Sequence, residues 1–251
     1  MSLNILCCVK RVPMTGGRIV LTPDEQAIET RHLGFTISPH EECAVEEALR
    51  IAAAHGAGTT VLTLGPAAAA EQLRNALAMG IQKGVLLETD GGEFDPQATA
   101  EAILDVVRGR GFDLLLFGNE SADSGGYQVA VRVAAGLGVP VVTGIKGIEI
   151  ADGRLTARRE AGGGWEIFEV PLPAVVSVKE GINLPRYPSL PGQIRAKKAE
   201  LERHEPARRE AALEKVRLLV PQEERATVQV LGEGADAAPR VVEVLRELGV
   251  A

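Results

Sequence analysis

The chain has 251 residues, 45 % of them hydrophobic and 24 % charged, which is ordinary globular composition and long enough to bury a full core. A formal net charge of −7 argues against a general nucleic-acid binder, because phosphate neutralisation supplies most non-specific affinity. The longest apolar runs fall far short of the ~20 residues of a membrane helix, and the N-terminus lacks a secretory signal. A cytoplasmic protein without direct membrane insertion is therefore expected. Cys7, Cys8 and Cys43 lie in apolar segments with no His or Cys at metal-ligand spacing, and read as buried thiols.

Residues 4–9 form an apolar run ended by the charged, turn-forming stretch 10–17, as a buried strand should be. Ser38, Pro39 and Glu41 then carry the signature of a helix start: a capping hydroxyl, a proline at the first position and a reciprocal carboxylate. The helix reaches about residue 54, with Cys43, Ala44, Leu49, Ile51 and Ala52 inward and Glu42, Glu46, Glu47 and Arg50 expected outward. The unit repeats: strand 60–64 and helix 67–79, strand 84–88 and helix 97–108, strand 113–117 and helix 127–137. Nearly continuous apolar strands alternating with helices predict a doubly wound, mainly parallel α/β sheet.

From residue 139 the rhythm changes to strands separated by turns at Asp152-Gly153 and at residues 162–164, ending at 174–178; this predicts an antiparallel extension of the sheet. Beyond residue 180 periodicity fades, a Lys/Arg/Glu-rich stretch runs to residue 225, and a helix is expected at 239–248. The expected division is an α/β domain over 1–180, a loop and basic segment over 181–200, and a C-terminal arm over 201–251. An arm that makes no core of its own needs a surface to lie on, which suggests a partner subunit.

Ligands of doubly wound sheets bind beyond the carboxyl ends of the strands. The loop after strand 113–117 contains Asp123, Ser124, Gly125, Gly126, Tyr127, Gln128 and Val129, with adjacent glycines before a helix start that would face an anion. The same spacing fits a turn that merely precedes a helix, with Asp123 or Ser124 as its cap. No nucleophile elbow or HExxH motif occurs, and the four histidines form no ligand pair at i, i+4, so a stand-alone hydrolase is not expected. His40 stands out because it opens a helix near the carboxyl edge. Residues 184–192 hold Pro185, Pro188 and Pro191, and read as a stiff exposed loop, neither helix nor central strand, with Tyr187 and Leu190 offered for recognition or simply carried on a rigid linker. Arg195, Lys197 and Lys198 follow as a basic patch, either a solvated face or a steering surface for an acidic partner.

The succession 173–178 (Pro-Ala-Val-Val-Ser-Val), 183–187 (Asn-Leu-Pro-Arg-Tyr), 190–192 (Leu-Pro-Gly) and 196–198 (Ala-Lys-Lys) resembles the signature of the electron-transfer flavoprotein beta subunit. Residues 8–13, 38–39, 44–48, 77–80 and 123–129 also resemble that family, in the expected order. The resemblance implies an electron carrier rather than an enzyme by itself. It implies a heterodimer whose alpha subunit holds most of the FAD, with a structural AMP in this chain. Carried over by position, Gly126, Tyr127, Gln128 and Val129 would surround the phosphate, with Cys8, Ser38, Leu64 and Asp123 near the rest of the nucleotide. Thr15 and His40 would stand at the flavin cleft. Tyr187, Leu190 and Pro191, with Arg195, Lys197 and Lys198, would meet acyl-CoA or other dehydrogenases, and electrons would pass on to a quinone oxidoreductase. A related branch carries a second FAD in place of AMP and bifurcates electrons. The rival from another class is a stand-alone nucleotide-binding regulator similar to universal stress proteins, which share the strand-helix rhythm.

Overall fold

The computed structural model describes residues 3–16, 19–220 and 228–250. The expected turn residue Gly17 and the end of the Lys/Arg/Glu-rich stretch, residues 221–225, lie outside them. In chain order the strands and helices are β1 (Asn4–Cys8), β2 (Val12–Pro13), β3 (Phe35–Thr36), α1 (Pro39–His55), β4 (Gly58–Gly65), α2 (Ala70–Met79), β5 (Lys83–Glu88), α3 (Pro96–Val107), β6 (Leu114–Gly118), α4 (Val129–Leu137), β7 (Val141–Ile145), β8 (Gly147–Ala151), β9 (Arg154–Ala161), β10 (Gly164–Pro171), β11 (Ala174–Val178), α5 (Leu190–Lys198), β12 (Glu202–His204) and α6 (Ala238–Glu247).

Seven strands form the central sheet in the order β12-β5-β4-β1-β6-β11-β7, and every pairing in it is parallel. Strands buried on both faces need no polar alternation, and Ile5, Leu6, Leu114, Leu116, Val175 and Val176 have essentially no exposed surface. α1 and α2 cover one face, packing Ala44, Val45, Leu73 and Leu77 on Ile5, Cys7 and Val61. α3 and α4 cover the other, packing Ile103, Leu104, Val133 and Ala134 on Leu6, Cys8 and Leu62. Each fully buried Leu or Ile contributes about 1.5–3 kcal/mol relative to exposure. The crossovers from β1 to β4 and β5 run in one direction across the sheet, and the crossover to β6 reverses it. The switch point therefore lies between β1 and β6, at their carboxyl ends.

The antiparallel part is present as a sheet of its own, β10-β9-β8, with Asp152-Gly153 and Gly162-Gly163 at its two corners. The first and last strands of that stretch behave differently: β7 and β11 belong to the central sheet, with β11 parallel between β6 and β7. The five residues of β11 are all buried, which a half-solvated antiparallel strand would not allow.

Two expectations are corrected. Glu46 and Glu47 are 3 % and 9 % exposed rather than outward, because residues 183–186 fold back over α1 and pair with them. The stretch 184–192 is not loop throughout. Ser189 accepts the Gly192 amide at 3.2 Å and opens α5, so Leu190 and Pro191 occupy its first turn, where a proline's missing N–H costs nothing. Gly192 fits there since a Cβ would fall 2.3 Å from the Ala78 carbonyl of α2. Arg74 in turn donates to the carbonyls of Ala196, Lys197 and Ala199 at the far end of α5. The first part of the arm lies on this chain itself: Asp95 Oδ2 accepts the amides of Ala212 and Leu213 at 2.8 and 3.0 Å, and Arg209 pairs with Asp105 at 2.7 Å.

Candidate functional site

β1 and β6 end side by side at the switch point, and three segments converge there: residues 9–12, the start of α1, and the loop 119–128. α1 opens with a capping box in which Glu41 Oε2 accepts the Ser38 amide at 3.0 Å. The Ser38 hydroxyl accepts the Ala122 amide at 2.9 Å, tying the loop to the helix start. The Lys10 ammonium donates to Asp123 at 2.7 and 2.9 Å and to the Ser124 hydroxyl at 3.3 Å. Burial pushes the Asp123 carboxyl up, but Lys10 together with the Ser121 hydroxyl and the Ser124 amide brings the net position below the usual carboxylate range. Glu120 lies 3.6 Å from His40 Nε2 and accepts from the Tyr127 hydroxyl.

The start of α4 carries no side-chain cap and follows a left-handed residue. Gln128 precedes it and supplies no side-chain cap, because its Oε1 accepts from Arg132 at 2.9 and 3.1 Å. α3, by contrast, is capped by Asp95 at 2.7 Å. Among the described residues no protein acceptor takes the amides of residues 126–131. Gly125 and Tyr127 adopt left-handed backbone, with φ of 52° and 56°, and Gln128 is right-handed. A left-handed residue followed by a right-handed one turns successive N–H groups toward one side, which makes a concave anion-binding nest. A helix dipole adds partial positive charge. The positive φ at Tyr127 also explains why α4 begins at Val129 and not at Tyr127, since a non-glycine left-handed residue cannot belong to a right-handed helix.

Cys8, Leu64 and Val129 all pack on the α3/α4 side of the sheet, so the loop has an apolar floor beside its polar rim. Burial pushes the Cys8 thiol far up, which makes it wall and not nucleophile. The expected nucleotide residues Cys8, Ser38, Leu64, Asp123, Gly126, Tyr127, Gln128 and Val129 are thus gathered at the carboxyl edge of β4, β1 and β6. Of the flavin-cleft pair, His40 is at this edge and Thr15 is exposed in the connection after β2. Tyr187 and Leu190, 96 % and 70 % exposed, belong to the α1/α2 layer. Because α2 runs away from the carboxyl edge and α5 begins against Ala78 near its end, Leu190 sits toward the opposite rim. Arg195, Lys197 and Lys198 crowd the last turn of α5, where positive charge suits the helix dipole.

Sequence reasoning left Lys10, Glu41 and Glu120 without site roles. The available signals were a lysine directly after a buried strand at the ligand edge and a carboxylate in the first turn of the adjoining helix.

A seven-stranded parallel sheet covered by helices on both faces, with an uncapped, donor-rich loop at its switch point, defines a doubly wound α/β protein. A family model described as "Electron transfer flavoprotein domain" matches residues 27–209. The chain is 34 % identical to electron transfer flavoprotein subunit beta of Bacillus subtilis, covering 97 % of this chain and 98 % of that one. It is also 34 % identical to the subunit beta of Syntrophomonas wolfei, covering 98 % and 97 %, and 38 % identical to that of Mycobacterium tuberculosis, covering 79 % and 77 %. The chain belongs to the electron transfer flavoprotein family, and the relatives it matches are beta subunits. No helix among the described residues is long and apolar enough to cross a membrane.

Proposed function

We propose that this chain is the beta subunit of a heterodimeric electron carrier that moves electrons from dehydrogenases, acyl-CoA dehydrogenases among them, to a quinone oxidoreductase. The observation that carries the nucleotide part of this reading is the uncapped start of α4 with the anchored loop before it. An AMP phosphate would be held by the amides of Gly126, Tyr127, Gln128 and Val129. Its nucleoside would lie toward Cys8, Ser38, Leu64 and Asp123. The residues fit such a group: amide donors without protein acceptors face the site, an apolar floor adjoins them, and Asp123 is already neutralised by Lys10. AMP would act here as structure, stiffening the loop.

FAD, held mostly by the alpha subunit, supplies the redox chemistry when bound. This chain's contribution would be one wall of the flavin cleft, with His40 and Thr15 nearest, excluding water and setting the local field. Leu190 and Tyr187 would enter an apolar pocket on the donor, where a buried aliphatic anchor contributes about 2 kcal/mol. The arm after residue 200, with α6 at its end, would pack on the alpha subunit. Val241, Val242, Leu245 and Leu248 of this terminal segment are exposed in the single chain, as such an arrangement requires. The test is anaerobic mixing of the co-expressed complex with an acyl-CoA dehydrogenase and its substrate. Bleaching of the flavin band, reversed by the quinone oxidoreductase, is expected; a flavin that no dehydrogenase reduces would refute the proposal.

A further inference from the structure

Among the side chains that hold the nucleotide loop from outside, Lys10 acts through Asp123 and Ser38 through the Ala122 amide. The backbones of both are fixed by one group. Glu41 Oε1 accepts the Lys10 amide at 3.1 Å, and Glu41 Oε2 accepts the Ser38 amide at 3.0 Å. Ordinary capping requires only the second of these bonds; the first reaches 31 residues back along the chain, to the exit of β1. Glu41 is 6 % exposed, far less than a first-turn carboxylate needs to be. Room for it is made by Gly118 at the end of β6, where a Cβ would fall 2.6 Å from Glu41 Cγ and 3.1 Å from its amide nitrogen. The Lys10 ammonium pairs directly with Asp123 and reaches Glu41 only as a nearby charge, so the direct hydrogen bonds to this carboxyl group come from two amide donors.

We propose that Glu41 is the positioning residue of the nucleotide loop: its two oxygens set the backbones of Lys10 and Ser38, whose side chains set the loop. This rests on the nucleotide reading above. Glu41 itself touches neither the loop backbone nor its open amides. Its influence on nucleotide affinity is therefore exerted through the two anchors, and disappears when they are removed.

A double-mutant cycle separates this from a general contribution to folding. Full-length chain, stripped of nucleotide, is titrated calorimetrically with AMP in four forms: wild type, Glu41→Gln, the Lys10→Met/Ser38→Ala pair, and all three changes together. The glutamine keeps the shape but offers one acceptor for two donors. Glu41→Gln is expected to weaken AMP about tenfold in the wild-type background, and less than about twofold once both anchors are gone. Glu41→Asp, which keeps the carboxylate but cannot span both amides, serves the same cycle if the glutamine form does not fold. Equal losses in both backgrounds, or no loss in either, would overturn the proposal while leaving AMP binding intact. Wild-type chain that binds no AMP would overturn the nucleotide reading itself.

Discussion

The ammonium of Lys10 meets both oxygens of Asp123, at 2.9 and 2.7 Å, and so fastens the exit of β1 to the loop after β6 across 113 residues of sequence. The pair spans the switch point of the sheet. It leaves the loop's amides free of a competing acidic neighbour, which an unpaired Asp123 would be.

Replacing Lys10 by Met removes the cation that holds the Asp123 carboxyl low, and leaves burial, which pushes it up. A group with a depressed native pKa stabilises the fold above its unfolded pKa and loses that contribution as pH falls through the native value. In Lys10→Met the Asp123 titration, followed by carboxyl NMR, is expected to move upward from its depressed native position, with only the Ser121 and Ser124 hydrogen bonds left to oppose burial. The loss of stability on acidification should shrink. An unmoved titration would show that Lys10 does not control Asp123.

Glu41 shifts the other way, from an ordinary 4.5 up to about 8, chiefly through burial, with the Ser38 and Lys10 amides opposing. The native chain then binds more protons than the unfolded chain between those values. Stability contributed by this group falls as pH rises through that window, at up to about 1.4 kcal/mol per pH unit. Urea unfolding at several pH values should show a shallower decline in Glu41→Gln than in wild type. Parallel profiles would mean that Glu41 does not titrate there.

Glu46, with a side chain 4 % exposed, receives Arg186 at 2.7 and 2.9 Å and Arg50 at 3.1 Å. Truncating Arg186 to Ala leaves a buried carboxylate with one remaining cation, and should cost about 3 kcal/mol in unfolding experiments. Adding Glu46→Ala should recover part of the loss, because no buried charge then lacks its partner. A cost below about 0.5 kcal/mol for Arg186→Ala would mark the pair as incidental.

Leu190 is 70 % exposed on the first turn of α5, so Leu190→Ala should leave stability within about 0.5 kcal/mol of wild type. Flavin content should also be unchanged. Reduction by the dehydrogenase partner should slow several-fold. Equal turnover would remove Leu190 from the recognition surface.

Much of this fold was legible because its strands are continuous apolar runs and its helices carry local start and stop signals. The Ser38, Pro39 and Glu41 box and the Asp95 cap both mark helix starts in the structure. What escaped depends on distant partners. Glu46 and Glu47 read as outward because the residues that bury them, Arg186 and Asn183, lie about 140 positions later. α5 was hidden by its prolines, although Ser189 before Pro191 is a usable cap signal. β7 and β11 read as part of the antiparallel stretch by sequence adjacency, yet the mostly apolar character of β11, broken only by Ser177, points to the central sheet. The glycines and Asp123 marked the loop itself. Its anchors could not be read, because Lys10 and Ser38 reach it only through the three-dimensional closeness of β1, α1 and β6.

The central claim is tested most directly by co-expressing this chain with its alpha subunit, releasing the bound nucleotides with acid and counting them. One FAD and one AMP per heterodimer are expected. Two FADs would contradict the AMP assignment and indicate bifurcation, and the absence of any flavin-bearing complex would contradict the account as a whole.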